Sequence, residues 1–320
     1  MIKVFIIGNG FDLDLGMKTR YSDFANSDIW EQSFQDDMQL YRPGTLLGYL
    51  NKEKEKNAWF DIEQSMLNYV TNKKNEYGIP DNDINDDKKS FRKLCHALSM
   101  YLKHVQTYHS QRKNNVAVEV LKAVAANGYF RSIYTFNYTN LRQIASDNGI
   151  TLGEANIMHV HGSLDADDII LGVMADNAYV VPEEYSFLYK DNSRYYRSNN
   201  MATDLDEANE LVIFGHSING MDFDYFRDFF LKQAGEKGDF KKKRITIFTY
   251  DENSDSQIRN SIRKIGINPR QLFNRNELCF IHTKLLSDGD NLERNRYNDF
   301  IKHLNEHSEE AHLRTLSSIL

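Results

Sequence analysis

Four short stretches combine glycine, amide, acid and histidine in the manner of ligand-handling turns. They are Gly8-Asn9-Gly10-Phe11-Asp12, Asn137-Tyr138-Thr139-Asn140, His161-Gly162-Ser163 and Gly215-His216-Ser217-Ile218-Asn219. Glycines at 8 and 10 would let main-chain N–H groups approach a phosphate, and a following helix N-terminus would add partial positive charge. The dinucleotide fingerprint wants a third glycine three residues later, but that position is Leu13 and the next glycine is Gly16. An acid in a phosphate turn repels phosphate unless it points at sugar hydroxyls or is protonated, so Asp12 is expected to face sugar. Asn137 is suited to hold a hydroxyl or a water. His161 titrates near neutral pH and suits a general base. Read alone, His161 is better explained as a structural histidine bonded to a neighbouring loop, and His216 reads as pocket lining.

Each of these stretches follows a segment that reads as a strand. Ile2–Ile7 is apolar on both faces, as a central parallel strand should be. Phe130–Phe136, Ile157–Val160, Leu211–Phe214, Ile245–Tyr250 and Leu278–His282 have the same character, and Ile169–Gly172 is a shorter candidate. Helical spacing covers the apolar residues from Phe91 to Val105 and from Ala117 to Val124, ending at Asn127-Gly128. Trp59–Glu63 opens a further helical pattern, while Asn72–Lys89 reads as an exposed loop because it is rich in Asn, Asp and Lys. Asp222 and Asp224 are expected to cap one late helix, and Ser254 or Asp255 the next. The fold expected is α/β: a Rossmann-like, mostly parallel sheet with a helical region inserted after the first strand. The core would be 1–24 and 128–320, and the insertion 25–127.

Composition narrows the classes of function. The chain has 320 residues, 41% hydrophobic and 27% charged, and a net charge of −7, which disfavours a general nucleic-acid binder. Two cysteines cannot build a four-cysteine zinc site or a disulfide framework. No apolar run is long enough to span a bilayer and the start lacks a signal-peptide pattern, so a cytoplasmic protein without membrane contact is expected. His96, His104 and His109 are not spaced to share a helix face. His159 and His161 would share a strand face but lack a third ligand, so no metal is expected. Lys18 and Arg20 read as solvated loop charges.

The opening GNGFDLDLGMKTRYSDF resembles the N-terminus of the AbiH family of bacterial abortive-infection proteins directed against bacteriophage. The resemblance continues through Trp59–Glu63, Tyr134–Asn140 (YTFNYTN), His159–Ser163 (HVHGS), Ile170–Gly172 and Phe214–Asp222 (FGHSINGMD). The same order is similar to a divergent sirtuin-type nucleotide fold. On that likeness Gly8, Gly10, Asp12 and Gly16 match the glycine-rich NAD turn, with Asp12 where sirtuins usually have serine. Asn137 matches an asparagine motif, His161-Gly162 the catalytic histidine-glycine, and Gly215 with Ser217 a later glycine-serine turn. The sirtuin zinc module is absent. The resemblance implies NAD as substrate or ligand, and Gly8, Asn9, Gly10, Gly215, His216, Ser217 and Asp222 are expected around the nucleotide, His216 from its place after a strand and without a match in the sirtuin pattern. It leaves open a phage-derived trigger and a homo-oligomer.

Cleaving the bond between nicotinamide and ribose passes through an oxocarbenium-like centre, and the charged nicotinamide ring is already a good leaving group. Such a reaction needs the diphosphate fixed, a ribose hydroxyl or water held, and a base near neutrality. Gly8–Gly10, Asn137 and His161 are the residues implied for these three tasks, with Asp12 orienting ribose or stabilising the cation. The alternative is a module that binds a nucleotide as a signal without turning it over.

Overall fold

A computed structural model of the chain describes residues 2–35, 37–42, 44–56, 60–74, 81–108, 115–174, 181–218 and 220–317. Trp59, His109 and Asn219 lie outside these. The chain order opens with β1 (Lys3–Ile7), α1 (Asn9–Asp14), α2 (Tyr21–Ala25), α3 (Asp28–Gln35), α4 (Leu46–Lys56), α5 (Ile62–Lys74), α6 (Asp81–Tyr108) and α7 (Val116–Ala126). It continues with β2 (Phe130–Thr135), α8 (Leu141–Asp147), β3 (Asn156–His159), α9 (Met201–Glu207), β4 (Glu210–Phe214) and α10 (Asp224–Ala234). It ends with β5 (Arg244–Thr249), α11 (Glu252–Lys264), α12 (Pro269–Arg275), β6 (Glu277–His282), α13 (Thr283–Ser287) and α14 (Asn291–Ser317). Among the described residues no helix is long and apolar enough to cross a membrane.

The six strands form one sheet in the order β3-β2-β1-β4-β5-β6, and every pairing is parallel. This is the doubly wound, Rossmann-like order, in which the direction of winding reverses between β1 and β4. All five residues of β1 and of β4 are buried, which explains the apolar runs Val4–Ile7 and Leu211–Phe214; the charged residues that open the strands, Lys3 and Glu210, pair with each other at 2.9 Å. Register places the strand ends level: Ile7 pairs with Thr135 on one side and Phe214 on the other. The chain therefore leaves β1, β2 and β4 at one rim, with Gly8, Phe136 and Gly215 as the first residues past it. In such sheets ligands lie outside the carboxyl ends of the strands at the reversal point.

The chain divides into two compact units. Met1–Gly16, Ser110–Val160 and Asn199–Leu320 form the first, which holds the sheet. Met17–His109 and His161–Ser198 form the second. This differs from the expected insertion over 25–127. Helix α7 belongs with the sheet, because its buried Ala117, Val120, Leu121 and Val124 lie on a face packed in the first unit, where α7 meets α1 and α14. The segment 161–198, expected in the core, groups with the helices.

Three local expectations are corrected. The described part of the stretch 72–89 is helical: α5 runs to Lys74 and α6 starts at Asp81. Its polar composition hid an interior role, since Asp87 is buried and accepts from Leu46 N–H at 2.6 Å and from the Tyr69 and Tyr185 hydroxyls at 2.7 Å each. Helix α11 is capped by Asp251, which accepts from Ser254 N–H at 2.9 Å, and α10 starts after Phe223 with no side-chain cap. The short strand expected over 169–172 is reduced to a single bridge between Val173 and Tyr189.

Candidate functional site

In the first unit the rim of the sheet is organised around Asp12. Strand β1 ends at Ile7, and α1 carries Asp12 inward to 1% exposure. Its Oδ1 accepts from Asn137 Nδ2 at 2.8 Å, and its Oδ2 accepts from the Thr139 hydroxyl at 2.9 Å. Asn137 Nδ2 also donates to Gly8 O at 3.1 Å, so both amide hydrogens have acceptors and the orientation of the amide is fixed. The turn that supplies these donors is itself pinned: Asn137 N–H donates to Thr135 Oγ1 at 3.1 Å, and Asn140 caps α8 by accepting from Gln143 N–H at 2.9 Å. Asn137 and Thr139, two residues apart, point at Asp12, while Asn140 starts the next helix.

Burial dominates the electrostatics of Asp12. Loss of water pushes its carboxyl up to about 7, and the bonds from Thr139 and Asn137 pull only partly back. Both donors are neutral, so no full positive charge offsets the desolvation. A carboxyl held near neutrality can give or take a proton at physiological pH. The sequence expectation that Asp12 avoids phosphate fits this inward position, although what it faces in this structure is the Asn137–Thr139 turn.

The glycines of the first turn have a different duty from the one expected. Gly8 N–H donates to Phe214 O at 2.9 Å and Gly10 N–H to Gly215 O at 2.8 Å. These are the groups assigned above to a phosphate, and here they tie α1 to the exit of β4. The approach is close enough that a Cβ on Gly8 would lie 2.5 Å from His216 Cα, and one on Gly10 2.6 Å from Gly215 Cα. Gly215 itself has φ 66°, a conformation that favours glycine. Asn9 is exposed at the start of α1, and Ser217 is exposed in the β4 turn.

His216 sits against Phe136, with ring centroids 4.3 Å apart, and Phe226 at 5.1 Å. Its Nδ1 accepts from Ile218 N–H at 2.9 Å, so Nε2 carries the hydrogen, facing Asp222 Oδ2 at 3.9 Å. A histidine whose lone pair is already used by the backbone is suited to holding a turn and lining a wall, as the sequence suggested.

The adjacent histidines His159 and His161 part company. Strand β3 ends at His159, whose Nδ1–H donates to Asn137 O at 3.1 Å in the first unit. His161 lies beyond the strand in the second unit and is 5% exposed. Its carbonyl accepts from Ile170 N–H at 2.7 Å, and Asp168 Oδ1 accepts from Ser163 N–H at 2.7 Å, closing the loop. Its Nε2 lies 3.5 Å from Lys190 Nζ, and Lys190 pairs with Glu63 Oε2 at 3.0 Å. The shared face expected for the two histidines depended on a strand that stops one pair too early.

Sequence reasoning named Asp12 and Asn137 separately, with Asp12 turned to sugar, and did not foresee the bond between them; it missed Thr139, although its two-residue offset from Asn137 in a strand-end turn was a usable signal. It also missed Glu63 and Lys190, which stand far from His161 in the chain and carry no motif. A family model described as bacteriophage abortive infection AbiH matches residues 4–246. No curated protein matches the chain.

Proposed function

The chain belongs to the AbiH family of bacteriophage abortive-infection proteins, and on that premise we propose that it is a nucleotide-processing effector that hydrolyses the nicotinamide–ribose bond of NAD. The observation that carries this reading is the Asp12–Asn137–Thr139 centre at the rim where β1 and β2 of a doubly wound sheet end. Since both Asn137 amide hydrogens are committed, Asn137 Oδ1 is the atom that accepts from a ribose hydroxyl. Asp12, ionised, stabilises the developing ribosyl cation. Nicotinamide leaves with the electron pair of the broken C–N bond, and water supplies the new bond to the sugar. The sirtuin likeness assigns the proton of that water to His161 as general base. NAD exhaustion would then halt the infected cell.

The test is the NAD pool of expressing cells during infection, alongside release of nicotinamide and ADP-ribose by purified protein. Asp12→Asn and His161→Ala are each expected to slow NAD loss by about 100-fold or more and to abolish protection. Protection with an unchanged NAD pool would overturn the catalytic reading. The alternative is a nucleotide-sensing module; in it, as in the hydrolase, the nucleotide is held by groups other than the N–H groups of Gly8 and Gly10 and the Asn137 amide hydrogens, which are all satisfied within the protein. Ligand-induced thermal stabilisation without turnover would select it.

A further inference from the structure

The parallel ladder of the first unit does not stop where the strands do. Past the strand ends, Phe136 N–H donates to Ile7 O, Gly8 N–H to Phe214 O and Gly215 N–H to Phe248 O, each at 2.9 Å. Gly10 N–H reaches Gly215 O at 2.8 Å, Phe11 N–H turns back to Gly8 O at 2.9 Å, and Ile218 N–H ends on His216 Nδ1 at 2.9 Å. The turns after β1 and β4 therefore commit to the protein the main-chain hydrogens with which glycine turns hold phosphate. Close packing keeps them committed, since a Cβ on Gly215 would lie 2.5 Å from Gly10 Cα.

The side chains at this rim present acceptors and negative charge. Asn137 gives its amide hydrogens to Asp12 Oδ1 and Gly8 O, so its Oδ1 accepts. Asp12 is a buried carboxylate met by neutral donors, and Asp222 Oδ2 lies 3.9 Å from the hydrogen-bearing Nε2 of His216. Phosphate oxygens are acceptors and carry negative charge, so groups of this kind do not attract them. Ribose hydroxyls donate, and a pyridinium ring is a cation. The same groups thus suit the sugar and the charged base.

We propose that this site selects pyridinium ribosides by their sugar and cationic base, and that the 5′ substituent contributes little, whether it is a hydroxyl, a phosphate or a diphosphate-linked adenosine. The proposal rests on the hydrolase reading and sets the substrate class of the same site. The chemistry is the same along that series. The C1′–N bond breaks and its electron pair neutralises the ring nitrogen. The water oxygen bonds C1′, and the water proton goes to the general base. From nicotinamide riboside the products are nicotinamide and ribose. A truncated substrate loses rate only where the enzyme uses the missing part to stabilise the transition state.

The test is nicotinamide release by the purified protein from NAD, nicotinamide mononucleotide and nicotinamide riboside, with ADP as a competitor. The three kcat/KM values are expected within about 10-fold of one another, and ADP is expected not to compete. A riboside cleaved more than about 100-fold more slowly than NAD would show that the 5′ portion is gripped, and overturns the proposal. Inhibition by ADP at concentrations near the KM for NAD overturns it as well. Release from none of the three overturns the hydrolase reading, and binding then decides the substrate class. Nicotinamide riboside is expected to raise the melting temperature and ADP to leave it unchanged; any other pattern overturns the proposal.

Discussion

Two buried carboxylates, one from each unit, have their electrostatics solved in opposite ways. Asp12 in the first unit is met by an amide and a hydroxyl, both neutral. Glu63 in the second is met by the Lys190 ammonium. Neutral donors recover only part of what a carboxylate loses on leaving water, so burial wins at Asp12 and its carboxyl stays near 7. An ammonium at contact distance opposes that loss more strongly and keeps an ion pair viable in the interior. A proton-transfer group belongs in the first arrangement, and a fixed orientation belongs in the second.

Breaking the second arrangement has the largest expected effect. Lys190→Met leaves Glu63 buried without its counter-charge, and such half-broken pairs cost about 3–5 kcal/mol. Denaturant unfolding is expected to show that loss, and Glu63→Gln/Lys190→Met is expected to recover most of it. A single variant as stable as wild type would show that the pair carries little charge.

The first arrangement should respond in the opposite sense. The Asp12 carboxyl titrates at about 7 in the folded protein, above its ordinary value of 3.8. Between those values the folded state binds more protons than the unfolded one, so stability falls as pH rises from about 4 to about 7 and then levels off. A gap of that size corresponds to about 4 kcal/mol. Asp12→Asn cannot ionise and is expected to remove that pH dependence, making the variant more stable than wild type at pH 8 and closest to it near pH 4. Melting curves across this range check the sign. A wild-type protein that gains stability over the same window would mean that Asp12 is ionised well below neutrality.

This contrast explains what the sequence revealed and what it withheld. The sheet was legible because β1 and β4 are apolar on both faces and end in glycine turns, a local pattern fixed by burial and backbone geometry. Asp12 stood out because an acid conflicts with a phosphate turn, and a local conflict is visible in a single stretch. Glu63 and Lys190 involve no local conflict. Their types are ordinary on an exposed surface, and only the crossing at Gly172 and Val173 carries Lys190 inward. The same limit applies to Asp87, whose neighbours in sequence read as a solvated loop while its carboxylate joins α4, α5 and the segment carrying Tyr185.

A smaller effect is expected from the glycine that holds the first arrangement in place. A Cβ on Gly10 would meet the Gly215 backbone at 2.6 Å, and backbone atoms yield less readily than a side-chain tip. Gly10→Ala is expected to cost about 1–3 kcal/mol through overpacking. It should also displace Asp12 from Asn137; with that lowering bond gone the carboxyl titrates above about 7, so the fall in stability extends to higher pH. If stability falls but the pH dependence is unchanged, α1 has moved without disturbing the carboxylate.

The smallest and most discriminating change is Thr139→Val, which keeps the buried shape and removes one donor. The hydroxyl bonds Asp12 Oδ2 at 2.9 Å and lies 3.2 Å from Oδ1, so its value depends on whether the carboxyl is ionised. A hydrogen bond to a charged group is worth about 1.5–3 kcal/mol, against about 0.5–1.5 for a neutral pair. The variant is therefore expected to lose about 1–2 kcal/mol more at pH 8 than at pH 5. With one of its two lowering influences gone, Asp12 should also titrate above about 7. Equal losses at both pH values would assign Thr139 to packing alone and leave Asn137 as the group that sets the charge of Asp12.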